Sequence, residues 1–439
     1  VSQPERLRLD WREPAAVAEL MANHFGPAGL VWLDGDGSSL GRNTTLAAAP
    51  VEQICCRGLP GQAGAEDPFE QLATLPPGHW MGWLSYEAGA WVEPGEHWKR
   101  DAMASLWLAR HDPVLRFDLQ TQELWLEGTD PGRNRALANL VAGSIPQPRP
   151  LNDPTIPAIP LDRWHWHTSP HHYAQGVERI RQWVAAGDLF QANLTACCDT
   201  ELDHTPDGLA LFRRLRHHCP APFAGLVIAA GGAAGEAVIS ASPERFLQVS
   251  AAGQVETRPI KGTRPRFSNP ASDADAAVEL VCSAKDRAEN VMIVDLLRND
   301  LGRVCEPGSI QVPQLVGLES YAQVHHLTSV VTGQLRDDQN WASLLRACWP
   351  GGSITGAPKV RACQRLNGLE PVARGPYCGS LLRVDWDGSF DSSILIRSVM
   401  LHGHQLRAHA GCGIVADSDP TTEADELGWK LQPLLKALS

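Results

Sequence analysis

Three strand-like runs, Ser380-Leu-Leu-Arg-Val-Asp-Trp386, Ser393-Ile-Leu-Ile-Arg-Ser-Val-Met400 and Gln405-Leu-Arg-Ala-His-Ala410, follow one another with no helix between them and then give way to a helical stretch over 422–438. Strands that cluster in this way, rather than alternating with helices, predict an α+β fold with largely antiparallel sheets. Working outward, 225–230 and 237–240 also read as strands, and 274–299 reads as one long helix. Its segment 291–297 is apolar almost all round, which predicts a buried helix. Upstream, Ser169-Pro170 is a cap and first-turn pair, and Tyr173, Val177, Ile180 and Val184 recur at helical spacing until Gly187. Between 146 and 160, fifteen residues contain six prolines, each fixing φ and lacking an N–H donor, so the chain is expected to divide there. The expected parts are 1–145, the connector 146–160 and 161–439. The first part holds more than half of the 15 Trp and reads as short strands broken by Gly and Pro. No fixed-period repeat is present.

The chain has 439 residues, with 38 Lys and Arg against 50 Asp and Glu, for a formal charge of -12. That balance argues against diffuse binding to nucleic acid or to an anionic membrane, so any anionic ligand must meet a local basic pocket. No run approaches the roughly 18 apolar residues of a membrane span, and the first residues lack a secretory apolar core; the cytoplasm is the expected location. The 11 Cys include no C-x-x-C pair and form neither a disulfide framework nor a zinc site.

Two carboxylate pairs share one geometry. Asp286 with Glu289 and Glu423 with Glu426 are each spaced i,i+3, on one helix face. In the last helix Leu427, Leu431, Leu434 and Leu438 form the buried stripe, with Glu423, Glu426 and Lys430 along its border, where acids can reach a cleft. Carboxylates from two helices suit Mg²⁺, which keeps several waters and completes its shell from a substrate anion; two solvated acidic faces are the plainer alternative. Gly351 and Gly356 are spaced as in a phosphate loop, but Ala357 and Pro358 intervene before Lys359, so the segment reads as a Gly-rich turn into a helix, either a structural turn or an anion seat. Gly411 and Gly413 either let backbone amides approach a carboxylate, clamped by Arg397 on the preceding strand, or belong to a hairpin. Lys261, crowded by Arg258 and Arg264, is a candidate amine nucleophile, Glu244 a candidate general acid or base, and His326 by default a core histidine.

In this order, the segments 187–195, 242–246, 258–263, 288–302, 356–359 and 411–426 resemble the chorismate-utilising enzymes, the family of anthranilate, aminodeoxychorismate, isochorismate and salicylate synthases. Pro-Ile-Lys261-Gly-Thr and Gln191-Ala-Asn193-Leu resemble the aminodeoxychorismate branch, since anthranilate synthases carry Ala where this chain has Lys261. Val31-Trp-Leu-Asp34 departs from the Leu-Leu-Glu-Ser element of tryptophan feedback in anthranilate synthases. The resemblance implies two large facing antiparallel sheets with helices packed outside. It implies Mg²⁺ held by Glu289 and Glu426, with Asp286 and Glu423 binding through water or orienting those two ligands, and chorismate contacts from Ser353, Tyr377, Arg397, Gly411, Gly413, His326 and Lys430. Lys261 would add to ring C2 while Glu244 protonates the leaving C4 hydroxyl. Ammonia would come from a separate glutamine amidotransferase subunit, because no Cys of this chain sits in a G-x-C-x-G elbow.

Overall fold

On the strand Phe223–Ile228 consecutive side chains enter different cores: Leu226 packs among helices, and Val227 packs between two sheets. The next strand, Glu236–Ser242, divides Val238 and Ile239 in the same way. Both faces of these strands are therefore buried, which is why they read as continuous apolar runs rather than alternating ones. The computed structural model describes all residues except 1, 2, 146, 154, 155, 157, 322 and 323. Four positions of the expected connector, Pro146, Pro154, Thr155 and Pro157, thus lie outside the described residues.

Among the described residues the strands form one 12-stranded and one 10-stranded sheet. Their ladders are antiparallel throughout. Helices Pro14–Phe25, Pro170–Ala185, Gly208–His218 and Pro420–Leu438 cover the larger sheet and share its outer core. Val31, Val227 and Met400 of the larger sheet join Trp83, Leu247 and Leu382 of the smaller in the second core. Both sheets run across the connector: Val31–Asp34 pairs with Phe223–Ile228, and His79–Leu84 pairs with Ser380–Val384. Trp32, Trp80, Trp83 and Trp107 are fully buried, which accounts for the tryptophan-rich first third.

Twice the chain passes from one sheet to the other beside the site described below. It leaves the larger sheet after Glu236–Ser242 and enters the smaller one at Arg245–Val249, crossing at residues 243–244. It returns from Phe390–Ile394 to Ser398–His402 across residues 395–397, where Arg397 has φ 50°. The run 393–400, expected as one strand, is therefore split between two sheets. An apolar run buried on both faces carries no mark of where it changes partners.

The expected single helix over 274–299 is two, Pro270–Cys282 and Ala284–Leu301. Ser283 breaks them with ψ 106°, and its hydroxyl accepts the Asp286 N–H at 3.2 Å. The second helix is half-buried: Ile293, Val294 and Leu297 face the core, whereas Val291 is 40% exposed. In the closing helix the expected stripe of Leu427, Leu431, Leu434 and Leu438 is buried.

Candidate active site

A cavity of about 190 Å³ opens beside the two sheet crossings. Glu244, Lys261, His326, Ser353, Tyr377, Arg397, Gly411 and Lys430 line it together with Asn193, Thr263 and His409. Residues more than 180 positions apart in the chain thus converge on one space.

Lys261 reaches the cavity through a β-bulge. Strand Ile260–Pro265 pairs with Val324–Gln334, but its register slips between Ile260, opposite Thr328, and Thr263, opposite His326. The extra residue re-aims the side chain, a use of bulges common beside active sites. Gly262 has φ 84°, and a Cβ there would lie 2.9 Å from Asp286 Cβ, so glycine serves both the bend and the close approach of the Ala284–Leu301 helix. Lys261 Nζ donates to the Ser353 carbonyl at 3.0 Å. The two arginines expected to crowd it are turned to acids instead: Arg258 to Glu319 at 2.5 Å, and Arg264 to Glu279 at 2.9 Å.

Glu244 follows Pro243 at the first crossing and is almost fully buried. Burial pushes its carboxyl up to about 7, opposed by the nearby Ser353 hydroxyl and the charge of Lys261. It is therefore about half protonated at neutral pH, as a general acid requires. His326 is also buried, with Nδ1 2.8 Å from Thr263 Oγ1. Burial, aided by the charge of Arg397, lowers it to about 4, so it is neutral near pH 7. Among the described residues the buried Arg397 guanidinium makes no ion pair with a carboxylate, and only Cys219 acts on its charge, which leaves a cation free to meet an anion in the cavity. The Tyr377 ring stacks on His409 at 4.9 Å.

The four paired acids and Gly413 do not line the cavity; they stand behind Lys430, which touches both regions. Lys430 Nζ lies 2.7 Å from Glu426 Oε1 and 3.0 Å from the Gly411 carbonyl. Glu423 accepts from Ser418 at 2.7 Å and from Lys285 at 3.0 Å. Asp286 is 3.6 Å from Arg264. Glu289 is different: 8% exposed, it accepts no hydrogen bond from a described residue, and burial raises its pKa despite Lys261 and Lys285. A buried carboxylate without a partner is what a cation would relieve, and carboxylate oxygens are the hard ligands that Mg²⁺ takes. Cys412 Sγ also lies within 4.8 Å of ligand oxygens of Glu423 and Glu426.

Gly411 and Gly413 belong to no hairpin turn. They sit within the long ladder between Gln405–Ile414 and Gln191–Glu201, opposite Thr195 and Asn193. A Cβ at Gly413 would meet Gln191 Nε2 at 2.5 Å and Glu289 Oε2 at 3.3 Å, so this glycine lets the acid cluster approach the sheet. Lys359 is spent inside the fold: its Nζ pairs with fully buried Asp300 at 2.5 Å and donates to the Cys348 carbonyl at 2.9 Å. Lys359 is thus not an anion ligand, whereas Ser353 and Ile354 of the Gly-rich segment before it line the cavity. Sequence reasoning gave no role to Thr263, His409 or Lys285. Lys285 carried a usable signal, its i,i+4 spacing to Glu289; His409 carried none, because its ring partner Tyr377 is distant in the chain.

Residues 35–436 match the model of the chorismate binding enzyme family. The chain belongs to that family. This chorismate binding enzyme is 39% identical over 369 residues to an aminodeoxychorismate synthase of Streptomyces griseus, covering 82% of this chain and 50% of the relative. It is 42% identical over 275 residues to aminodeoxychorismate synthase component 1 of Salmonella typhimurium, covering 63% of this chain and 59% of the relative. Among solved structures it resembles anthranilate synthase component I from Streptococcus pneumoniae, with a TM-score of 0.74 and 28% identity, covering 90% of this chain and 92% of that one. The chain thus spans only half to about three-fifths of the length of these two curated relatives. No helix among the described residues is long and apolar enough to cross a membrane.

Proposed function

We propose that this chorismate binding enzyme joins ammonia to chorismate at C4, giving 4-amino-4-deoxychorismate, the work of an aminodeoxychorismate synthase component I. The observation that carries this reading is the juxtaposition of Lys261 and Glu244 on one cavity, an amine nucleophile beside a carboxyl held half protonated at neutral pH. The unprotonated Lys261 amine attacks ring C2, both conjugated ring double bonds shift, and the C4 hydroxyl takes the Glu244 proton and leaves as water. Ammonia then attacks C4, both double bonds shift back, the bond from C2 to Lys261 breaks, and the ammonium so formed on C4 returns a proton to Glu244. Arg397 holds a substrate carboxylate by charge-assisted hydrogen bonds, with Tyr377 beside it. The Ser353 carbonyl holds the amine before attack, and its hydroxyl steadies Glu244.

Glu289 and Glu426 would hold Mg²⁺, with Asp286 and Glu423 acting through water. When bound, that ion supplies Lewis-acid help to the departing hydroxyl and a seat for the ring carboxylate. The Salmonella relative is named a component 1, which supports a partner component, and a glutamine amidotransferase would supply the ammonia.

A second reading, amination at C2 with loss of pyruvate to give anthranilate, has one observation in its favour: His326 lines the cavity and is neutral near pH 7, so its ring can accept a proton, although burial weakens it as a base. Lys261 weighs against it by filling the place from which C2 would be attacked. The product made from chorismate and saturating ammonium, identified by mass and NMR, separates the two. The para-aminated compound is expected, and Lys261→Ala should abolish it; ortho-aminated product, or undiminished para product in that variant, refutes the proposal.

A further inference from the structure

Lys285 occupies a helix position that local electrostatics disfavours. It is the second residue of Ala284–Leu301, in the first turn, where the helix dipole favours acids over cations. Helix stability therefore does not explain it. Its surroundings do. Four residues on, Glu289 shares its face. Across the gap, Lys285 Nζ is 3.0 Å from Glu423 Oε1 of the closing helix, and Glu289 and Glu426 are near enough to act on its charge as well. The Glu423 side chain is only 4% exposed, so the ammonium is its principal charge compensation.

The same holds around the cluster. Lys430 pairs with Glu426 at 2.7 Å, and Arg264 approaches Asp286 at 3.6 Å. Three of the four acids thus already have a cation from this chain, and Glu289 has none. A divalent ion arriving here meets a nearly balanced site rather than four free negative charges.

We propose that Lys285 is a resident counter-ion of the carboxylate cluster, competing with the divalent cation for Glu423 and keeping cation affinity low until an anionic substrate adds its own charge. This rests on the cation reading given above, though not on the chemistry of amination. The two other ion-pairing side chains and the nearby Lys261 are poorer competitors. Lys430 is tied to the Gly411 carbonyl, Arg264 is shared with Glu279, and Lys261 is held by the Ser353 carbonyl. Lys285 makes only the Glu423 contact among the described residues, and its side chain is 45% exposed, so it can swing into solvent.

The test is a titration of the full-length protein with Mn²⁺ in the absence of chorismate, free Mn²⁺ being read by electron paramagnetic resonance. Lys285→Met keeps the chain length and removes the charge, and should bind Mn²⁺ about tenfold more tightly than the parent. Lys285→Arg keeps the charge and should stay within about twofold of it. In parallel, Mn²⁺ should raise the melting temperature of Lys285→Met by more than that of the parent, each measured against EDTA. Equal or weaker Mn²⁺ binding by Lys285→Met overturns the proposal while leaving the product experiment untouched. Absence of Mn²⁺ binding by parent and variant alike at millimolar concentration overturns both it and the carboxylate cation site.

Discussion

Glu244 and Arg397 are fastened to each other's strands: the Glu244 carbonyl accepts the Ile394 N–H at 3.1 Å, and the Arg397 carbonyl accepts the Ala241 N–H at 3.0 Å. The two places where the chain changes sheets thus run side by side, one carrying the candidate acid and the other the free guanidinium. A crossing frees its side chains from the strict up-and-down alternation of a ladder, so both can turn into the space between sheets. Ser242 strengthens the junction by donating to the Ile394 carbonyl at 2.5 Å.

The position of Glu244 has a pH consequence. Its folded carboxyl is raised to about 7, so the protonated acid is lost as pH climbs through that value. In the parent enzyme kcat/KM should therefore show an alkaline limb near pH 7. Glu244→Gln should lower kcat by about 10²- to 10⁴-fold and remove the limb. A profile that rises smoothly from pH 6 to 9 would rule out the acid role.

Arg397 should matter for capture. Replacing it with Met removes a charge-assisted pair to a substrate carboxylate, an effect of about 10- to 100-fold on the chorismate dissociation constant. Arg397→Lys should recover part of the loss, since it keeps the charge but not the fork. Equilibrium titration of the substrate reads both; an unchanged constant in the Met variant would mean that the guanidinium meets no anion.

Beneath the cavity, Arg374 is a clamp. It pairs with Glu370 through two nitrogens at 2.7 and 2.9 Å and donates to the carbonyls of Ile354 and Asn193, both at 2.8 Å. Ile354 adjoins Ser353, so the clamp also steadies the turn that holds the Lys261 amine. Arg374→Met leaves a buried carboxylate unpaired and should cost about 3–5 kcal/mol in denaturant unfolding. Adding Glu370→Leu should return part of that loss, and a double variant less stable than the single one would contradict the account.

Glu87 makes stability depend on pH. It is buried, Asp101 lies near, and together they raise its pKa well above the carboxylate range. The native state then holds a proton that the unfolded chain has released, so this residue's contribution declines as pH rises above its unfolded value of about 4.5. Glu87→Gln keeps the acceptor for the Arg374 N–H, which Glu87 Oε1 receives at 2.8 Å. Thermal melts should show the variant gaining on the parent at pH 8 and converging with it near pH 5. The reverse ordering would mean that Glu87 is ionised in the folded protein.

The chemistry of the cavity was more legible in the sequence than its geometry. Lys261, Glu244, His326, Arg397 and Lys430 announce themselves by residue type within short ordered motifs, and the structure gathers all of them on one cavity. What surrounds them was hidden because it is non-local. Arg258 and Arg264 look like neighbours crowding Lys261 only until Glu319 and Glu279 are seen to draw them away. The split of 393–400 between sheets depends on which strand lies alongside. The bulge at Lys261 depends on pairing with 324–334. Ser283, by contrast, was readable: a serine three residues before Asp286 is an N-terminal cap, and it ends one helix and opens the next.

The ladders that span the connector set limits on dissection. Trp32 faces Leu226 in one sheet, and Trp83 faces Leu381 in the other. A protease nick between these halves would not release two independent proteins: the fragments would stay annealed along both seams, each supplying the rungs the other lacks. Made alone, either fragment would carry two raw margins of backbone donors and acceptors and would tend to clump.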